Sequence, residues 1–206
     1  SFKTTKMNNL LQDVRDYVIL FLTENLSSQL TFHNITHTYE VVSAVREITR
    51  ENVLSEEDFR ALEIAAWFHD CGYAICYKGH EEESKNIATN FLENFNCDAS
   101  FIDKVLKCIE ATKYPQNPVS DIEKIICDAD MFHLTKTNYK TYEKALRFEF
   151  EKFLGLTFTD EEWKIKNLAF LQNQQYFTLY GQNVLERFKN VNIRFKSIFL
   201  RLGCIA

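Results

Sequence analysis

Glycine and proline are scarce: the 206-residue chain has 5 of the first and 2 of the second. Both interrupt regular backbone, so their scarcity argues against a loop-rich β protein and for long helices. No Cys-x-x-Cys pair occurs, which removes the usual spacing of a structural zinc ribbon. The six cysteines, at 71, 76, 97, 108, 127 and 204, lie mostly in apolar-periodic stretches and read as buried reduced thiols rather than disulfides. No apolar run approaches the roughly 18 residues of a membrane-spanning helix, and no charged-then-apolar leader is visible, so a cytoplasmic protein without membrane association is expected. There is no basic face either. The formal net charge is -5, with the charges scattered apart from Glu81-Glu82-Glu83, which argues against a nucleic-acid polymer as partner. Internal repeats, low-complexity tracts and Pro/Gly/Ser-rich linkers are all missing, so residues 1–206 are expected to form a single domain.

What is present is apolar and aromatic. Hydrophobic residues make up 46%, with 18 Phe and 9 Tyr, enough to bury a sizeable core. Apolar residues recur at three- and four-residue steps: Leu10, Leu11, Val14, Tyr17, Val18, Phe21 and Leu22 predict a helix over Met7–Leu26, and Val41, Val42, Val45 and Ile48 predict another over Thr36–Thr49. Ser55, followed by Glu56, Glu57 and Asp58, caps a helix reaching about Phe68. A loop over Cys71–Gly79 follows, then helices over Glu81–Phe95 and from Asp98 or Ser100 onward, and a turn at Tyr114–Pro118. Further helices are expected over Asp121 to about Leu134, Tyr139–Phe153, Asp160–Arg187 and Asn192–Leu202, with a break near Gly155. The pattern is an all-α bundle of roughly eight or nine helices.

Five histidines carry the chemistry: His33, His37, His69, His80 and His133. His69-Asp70 closes the apolar run Ala65-Ala66-Trp67-Phe68. An unpaired carboxylate at such a place is costly, and a divalent cation removes the cost by keeping it ionised. His33 and His37 are four apart, but Asn34 and Thr36 look like helix-entry residues, so His33 precedes the helix and His37 sits in its first turn. In Ile126-Cys127-Asp128-Ala129-Asp130-Met131 two carboxylates face different sides of one helix, so one is free to act as a ligand while the other meets a neighbour or solvent. Taken singly, each fragment also fits a plain role: a polar helix end, a capping histidine, an exposed aspartate.

As an ordered set, FHNITHTYEVV (32–42), AAWFHDCGY (65–73) and ICDADMFHL (126–134) resemble the HD superfamily of metal-dependent phosphohydrolases, whose pattern is a histidine, a His-Asp doublet and a distant aspartate. GHEEESKNIA (79–88) and IEATKYP (109–115) are similar to connecting segments of bacterial members. The resemblance covers residues 30–135 as a metal-binding core, with 136–206 as a C-terminal helical extension. It implies a divalent metal ion (Mn, Mg, Ni, Co, Fe or Zn) held by His37, His69, Asp70 and Asp130, with Asp128 as the fallback for the last place. It further implies His33 as general acid, from the His-Asn-x-x-His motif of cyclic-nucleotide phosphodiesterases; Asp70 is a candidate base partner for the attacking water, since a carboxylate can bridge metal and water. His80, Lys113 and Asp128 are candidates for a second ion or for substrate. The histidine that two-metal members place near Lys107–Lys113 is missing, and His133 reads as an ordinary or supporting histidine.

The expected activity is hydrolysis of a phosphoester, on a nucleotide or related small molecule. Lys78, Lys113 and Arg187 are candidate phosphate-gripping cations, and Thr178 or Tyr180 of QYFTLYG (175–181) candidate pocket residues. The competing readings are a nucleotide-binding regulatory module without turnover and a di-iron oxygenase of the same superfamily. Neither the substrate nor the oligomeric state is readable from these residues.

Overall fold

The computed structural model describes residues 2–51 and 53–203, of which Cys204 is not one. Among the described residues there are nine α-helices and no strand: α1 (Phe2–Asn25), α2 (Ile35–Ile48), α3 (Glu56–Phe68), α4 (His80–Asn94), α5 (Ala99–Ala111), α6 (Asp121–Asp130), α7 (Tyr139–Leu154), α8 (Asp160–Asn173) and α9 (Glu186–Gly203). Short 3₁₀ segments follow α2, α3 and α6, and a π-helical turn, Gly181–Leu185, leads into α9.

Local chemistry sets most of the boundaries. Ser55 Oγ accepts the Asp58 N–H at 3.1 Å and starts α3, Ser120 does the same for α6, and Thr159 with Glu162 forms a capping box on α8. Gly155, in the left-handed region at φ 64°, ends α7. α3 is the centre of the molecule. Its residues from Arg60 to Phe68 are all buried, and α1, α2, α4, α5 and α6 pack around it. The α1 stripe Leu10, Val14, Val18 and Leu22 joins this core, as do Tyr176 and Leu185 from the C-terminal region, while Leu134, Tyr139 and Leu171 form a smaller cluster beside it. Cys71, Cys76, Cys108 and Cys127 are free thiols.

Two expected helices are shorter than the pattern suggested. The helix from Asp121 stops at Asp130 rather than near Leu134, and Met131–Thr135 tightens into 3₁₀; His133 Nδ1–H donates to the Asp130 carbonyl at 3.0 Å, satisfying one of the orphaned carbonyls at that end. The expected helix over 160–187 breaks after Asn173. Phe177 and Thr178 leave the helix because their N–H groups bind the buried Asp128 carboxylate, at 2.8 and 2.9 Å. The segment expected as a loop over 71–79 opens with a 3₁₀ turn, Cys71–Ala74.

Gly72 in that turn has no room for a side chain: a Cβ would stand 1.9 Å from the His80 carbonyl oxygen, and the Gly72 N–H donates to Ser84 Oγ at 2.8 Å. The turn after α3 is thereby laid directly on the start of α4. Gly72→Ala should push these two backbones apart and lower the unfolding free energy by about 3 kcal/mol, measured by urea denaturation.

Candidate metal centre

Helix ends deliver the central side chains. Asn34 Oδ1 accepts the Thr36 N–H at 2.9 Å and the His37 N–H at 3.4 Å, so α2 begins just after Asn34 and His37 lies buried in its first turn. α3 ends at Phe68, and His69 and Asp70, side by side where the helix stops, reach one point. Asp130 is the last residue of α6.

At that point His37 Nε2 lies 3.1 Å from Asp130 Oδ1 and 3.5 Å from Asp70 Oδ2. His69 Nε2 lies 3.3 Å from Asp70 Oδ2 and 3.7 Å from Asp130 Oδ1. The Ala66 carbonyl takes the His69 Nδ1–H at 2.8 Å, which turns Nε2 toward the carboxylates. Burial pulls the His69 imidazole down, but the Asp70 and Asp130 carboxylates outweigh it and hold it at about 9. Burial pushes Asp70 up, yet His69 first, then His33 and His37, hold it below the usual carboxylate range. Asp130 is lowered in the same way: burial opposes ionisation, and the His37 hydrogen bond and the His69 and His37 charges overcome it.

The donor set fits a divalent cation. One ligand atom each from His37, His69 and Asp70 lies within 4.8 Å of the others. Three buried atoms, His37 Nδ1, His69 Nε2 and Asp70 Oδ2, have no hydrogen-bond partner, and the last two face each other. Imidazole nitrogen with carboxylate oxygen suits a first-row divalent ion, which would satisfy that pair and offset the two carboxylate charges.

His80, at the first position of α4, approaches the other face of Asp70, with Nε2 3.5 Å from Oδ1. Tyr73 stacks on His80 (ring centroids 3.7 Å) and on His33 (4.1 Å), and its hydroxyl lies 3.1 Å from His33 Nε2. The other His33 nitrogen, Nδ1, donates to Glu149 at 2.5 Å. Glu149, on α7, is completely buried, and it also accepts the N–H of Phe32 (2.6 Å) and of His33 (3.1 Å) and the Tyr77 hydroxyl (3.2 Å). Sequence reasoning missed Glu149 altogether. No motif marks it; it sits among Phe148, Phe150 and Phe153 in α7.

Asp128 is not brought into the cluster. Its carboxylate accepts the N–H groups of Phe177 and Thr178 and the Thr178 hydroxyl at 2.6 Å. Burial raises its pKa to about 6 against the pull of these donors. Gly181 passes so close that a Cβ would stand 2.3 Å from Asp128 Oδ2. The fallback ligand is therefore a clamp on the C-terminal segment, and Thr178 serves that clamp. Tyr180 donates to Glu47 at 2.5 Å. Lys113 is mostly exposed and stands 3.9 Å from Glu110, while Lys78 and Arg187 are exposed. His133, buried beside Phe32, is lowered to about 4 by burial and by the nearby His37.

Residues 34–135 match the family model of the HD domain, whose members bind divalent metal ions. The fold matches the crystal structure of a predicted HD superfamily hydrolase from an uncultured Thermotogales bacterium, with a TM-score of 0.61 and 18% identity over 91% of this chain and 92% of that one. Among curated proteins, none matches this chain.

The two aspartates of α6 should separate in experiment. Asp128→Ala leaves buried N–H groups unpaired and should destabilise the fold by about 2–3 kcal/mol while Mn²⁺ affinity stays near that of the parent; Asp130→Asn should do the reverse, as read by denaturant melts and Mn²⁺ titration.

Proposed function

From the chain's membership of the HD-domain superfamily, we propose that it is a metal-dependent phosphohydrolase acting on a small phosphoester, a nucleotide or a related molecule. The observation that carries the reading is the pair of unpartnered buried atoms, His69 Nε2 and Asp70 Oδ2, facing each other beside His37 and Asp130. His37, His69, Asp70 and Asp130 would hold a divalent ion, which when bound supplies a Lewis acid and lowers the pKa of water beside it.

The remaining chemistry falls to the chain's own residues. Asp70 offers a carboxylate oxygen to orient the attacking water and accept its proton. Glu149 takes the His33 Nδ1–H and so fixes the ring with Nε2 on the Tyr73 side, the nitrogen that would protonate the leaving oxygen. Glu149 is thus a positioning residue, held by two backbone N–H groups on the segment that carries His33. His80, on the far face of Asp70, is placed to meet a phosphoryl oxygen or a second ion. A di-iron oxygenase would ask for more histidine ligands than His37, His69 and His80 supply around the aspartates; His133 is engaged with Asp130 and His33 with Glu149. Among the described residues no helix is long and apolar enough to cross a membrane.

The test is to strip metal from the purified protein, add back Mn²⁺, Mg²⁺, Co²⁺ or Ni²⁺, and screen nucleotides and simple phosphoesters for released phosphate. Activity should appear with metal and vanish with chelator, and His69→Ala or Asp70→Ala should lower turnover on the order of 10³-fold. Full turnover in either variant would sink the reading.

The acid role is separable. His33→Asn and Glu149→Gln should slow hydrolysis of alkyl phosphates by a factor on the order of 10² while leaving nitrophenyl phosphates, whose leaving group needs no proton, within a few-fold of the parent. Equal losses on both substrates would exclude it.

A further inference from the structure

Asp130 offers two oxygens. Oδ1 faces His37 and His69, and Oδ2 meets the side-chain nitrogen of Gln116 at 3.5 Å. Among the described residues, no other donor from outside the histidine–aspartate cluster reaches this carboxylate. Gln116 lies in the proline-flanked turn between α5 and α6, and its oxygen accepts from Gln174 Nε2 at 3.2 Å. Gln174 is buried after α8, and the same nitrogen donates to the Gln175 carbonyl at 3.2 Å. The chain of amides has one direction. The Gln175 carbonyl can only accept, so it fixes the Gln174 nitrogen; that nitrogen fixes the Gln116 oxygen; and the Gln116 NH₂ is left facing a carboxylate, which also only accepts. The main-chain carbonyl of Gln174 accepts from the buried Lys189 ammonium.

We infer that Gln116, oriented through Gln174, is a positioning residue that holds Asp130 with one oxygen turned into the cluster, and thereby sets the cluster's affinity for a divalent cation. This rests on the reading of the cluster as a metal centre. A neutral amide suits the task. It pins the second oxygen without cancelling the charge that a cation needs, and it discourages both oxygens from swinging onto one ion. Partners of this kind around metal sites are worth roughly 10–100-fold in affinity.

The test uses the intact protein and Mn²⁺ alone, with free Mn²⁺ followed by its aqueous EPR signal. Gln116→Met keeps the bulk and removes the donor. It should weaken Mn²⁺ binding by about 10–100-fold and change the EPR line shape of the bound ion, while the metal-free melting temperature stays within about 2 °C of the parent. Gln174→Met should act in the same direction with a smaller loss, and decides the matter should Gln116→Met fail to fold. Parental affinity in these variants, with Asp130→Asn weakened, overturns the inference and leaves the metal centre standing. A fall in metal-free melting temperature that accounts for the whole loss of binding overturns it too, by making the role structural. Failure of the parent protein to take up Mn²⁺, Mg²⁺, Co²⁺ or Ni²⁺ overturns the metal centre itself, and the inference with it.

Discussion

Two carboxylates are held at one buried point, and the surrounding architecture answers that demand. Asp70 and Asp130 both lie within 4 Å of His69 Nε2 and of His37 Nε2. Like charges this close in a poorly solvated place repel strongly unless a positive charge stands between them. In the protein alone the His69 imidazole supplies it, raised by the two carboxylates to about 9, and Asp70 is held below the usual carboxylate range in return. A cation of charge two would answer the same demand more completely, at His69 Nε2 and Asp70 Oδ2, which have no hydrogen-bond partner.

Helix termini make the convergence possible. A ligand in mid-helix is committed to a face, and its neighbour in sequence points away. His69 and Asp70 escape that rule because α3 has ended, and His37 and Asp130 stand at the first turn of α2 and the last residue of α6. Gly72 then lets the descending chain lie against the His80 backbone, so the doublet and the start of α4 share one small volume. The buried length of α3 is the post on which these ends are hung.

Much of this was legible in the sequence, for identifiable reasons. Asn34, Ser55 and Gly155 carry their instructions locally, so the starts of α2 and α3 and the end of α7 follow from single residues. The order of His37, His69-Asp70 and Asp130 was legible through its resemblance to the HD pattern, since each fragment alone also fits a plain role. The alternation argument allowed one of Asp128 and Asp130 to bind a neighbour, and Asp128 does so. What could not be read depends on partners far away in the chain. The break after Asn173 comes from a carboxylate 49 and 50 residues earlier, and Glu149 meets Phe32 and His33 across 117 and 116 residues. Gln116, in a turn that reads only as punctuation, gives no sign in sequence of the carboxylate it faces.

Glu149 also bears on where the working unit ends. The stretch that matches the family model stops at residue 135, yet the acid that secures His33 arrives from α7, and the donors that occupy Asp128 arrive later still. A border at 135 would cut through hydrogen bonds that settle an imidazole's orientation and an aspartate's surroundings. The last third of the chain therefore supplies part of the surroundings of the cluster. Loss of Glu149 from α7 would free the His33 ring without altering one atom of the histidine–aspartate cluster.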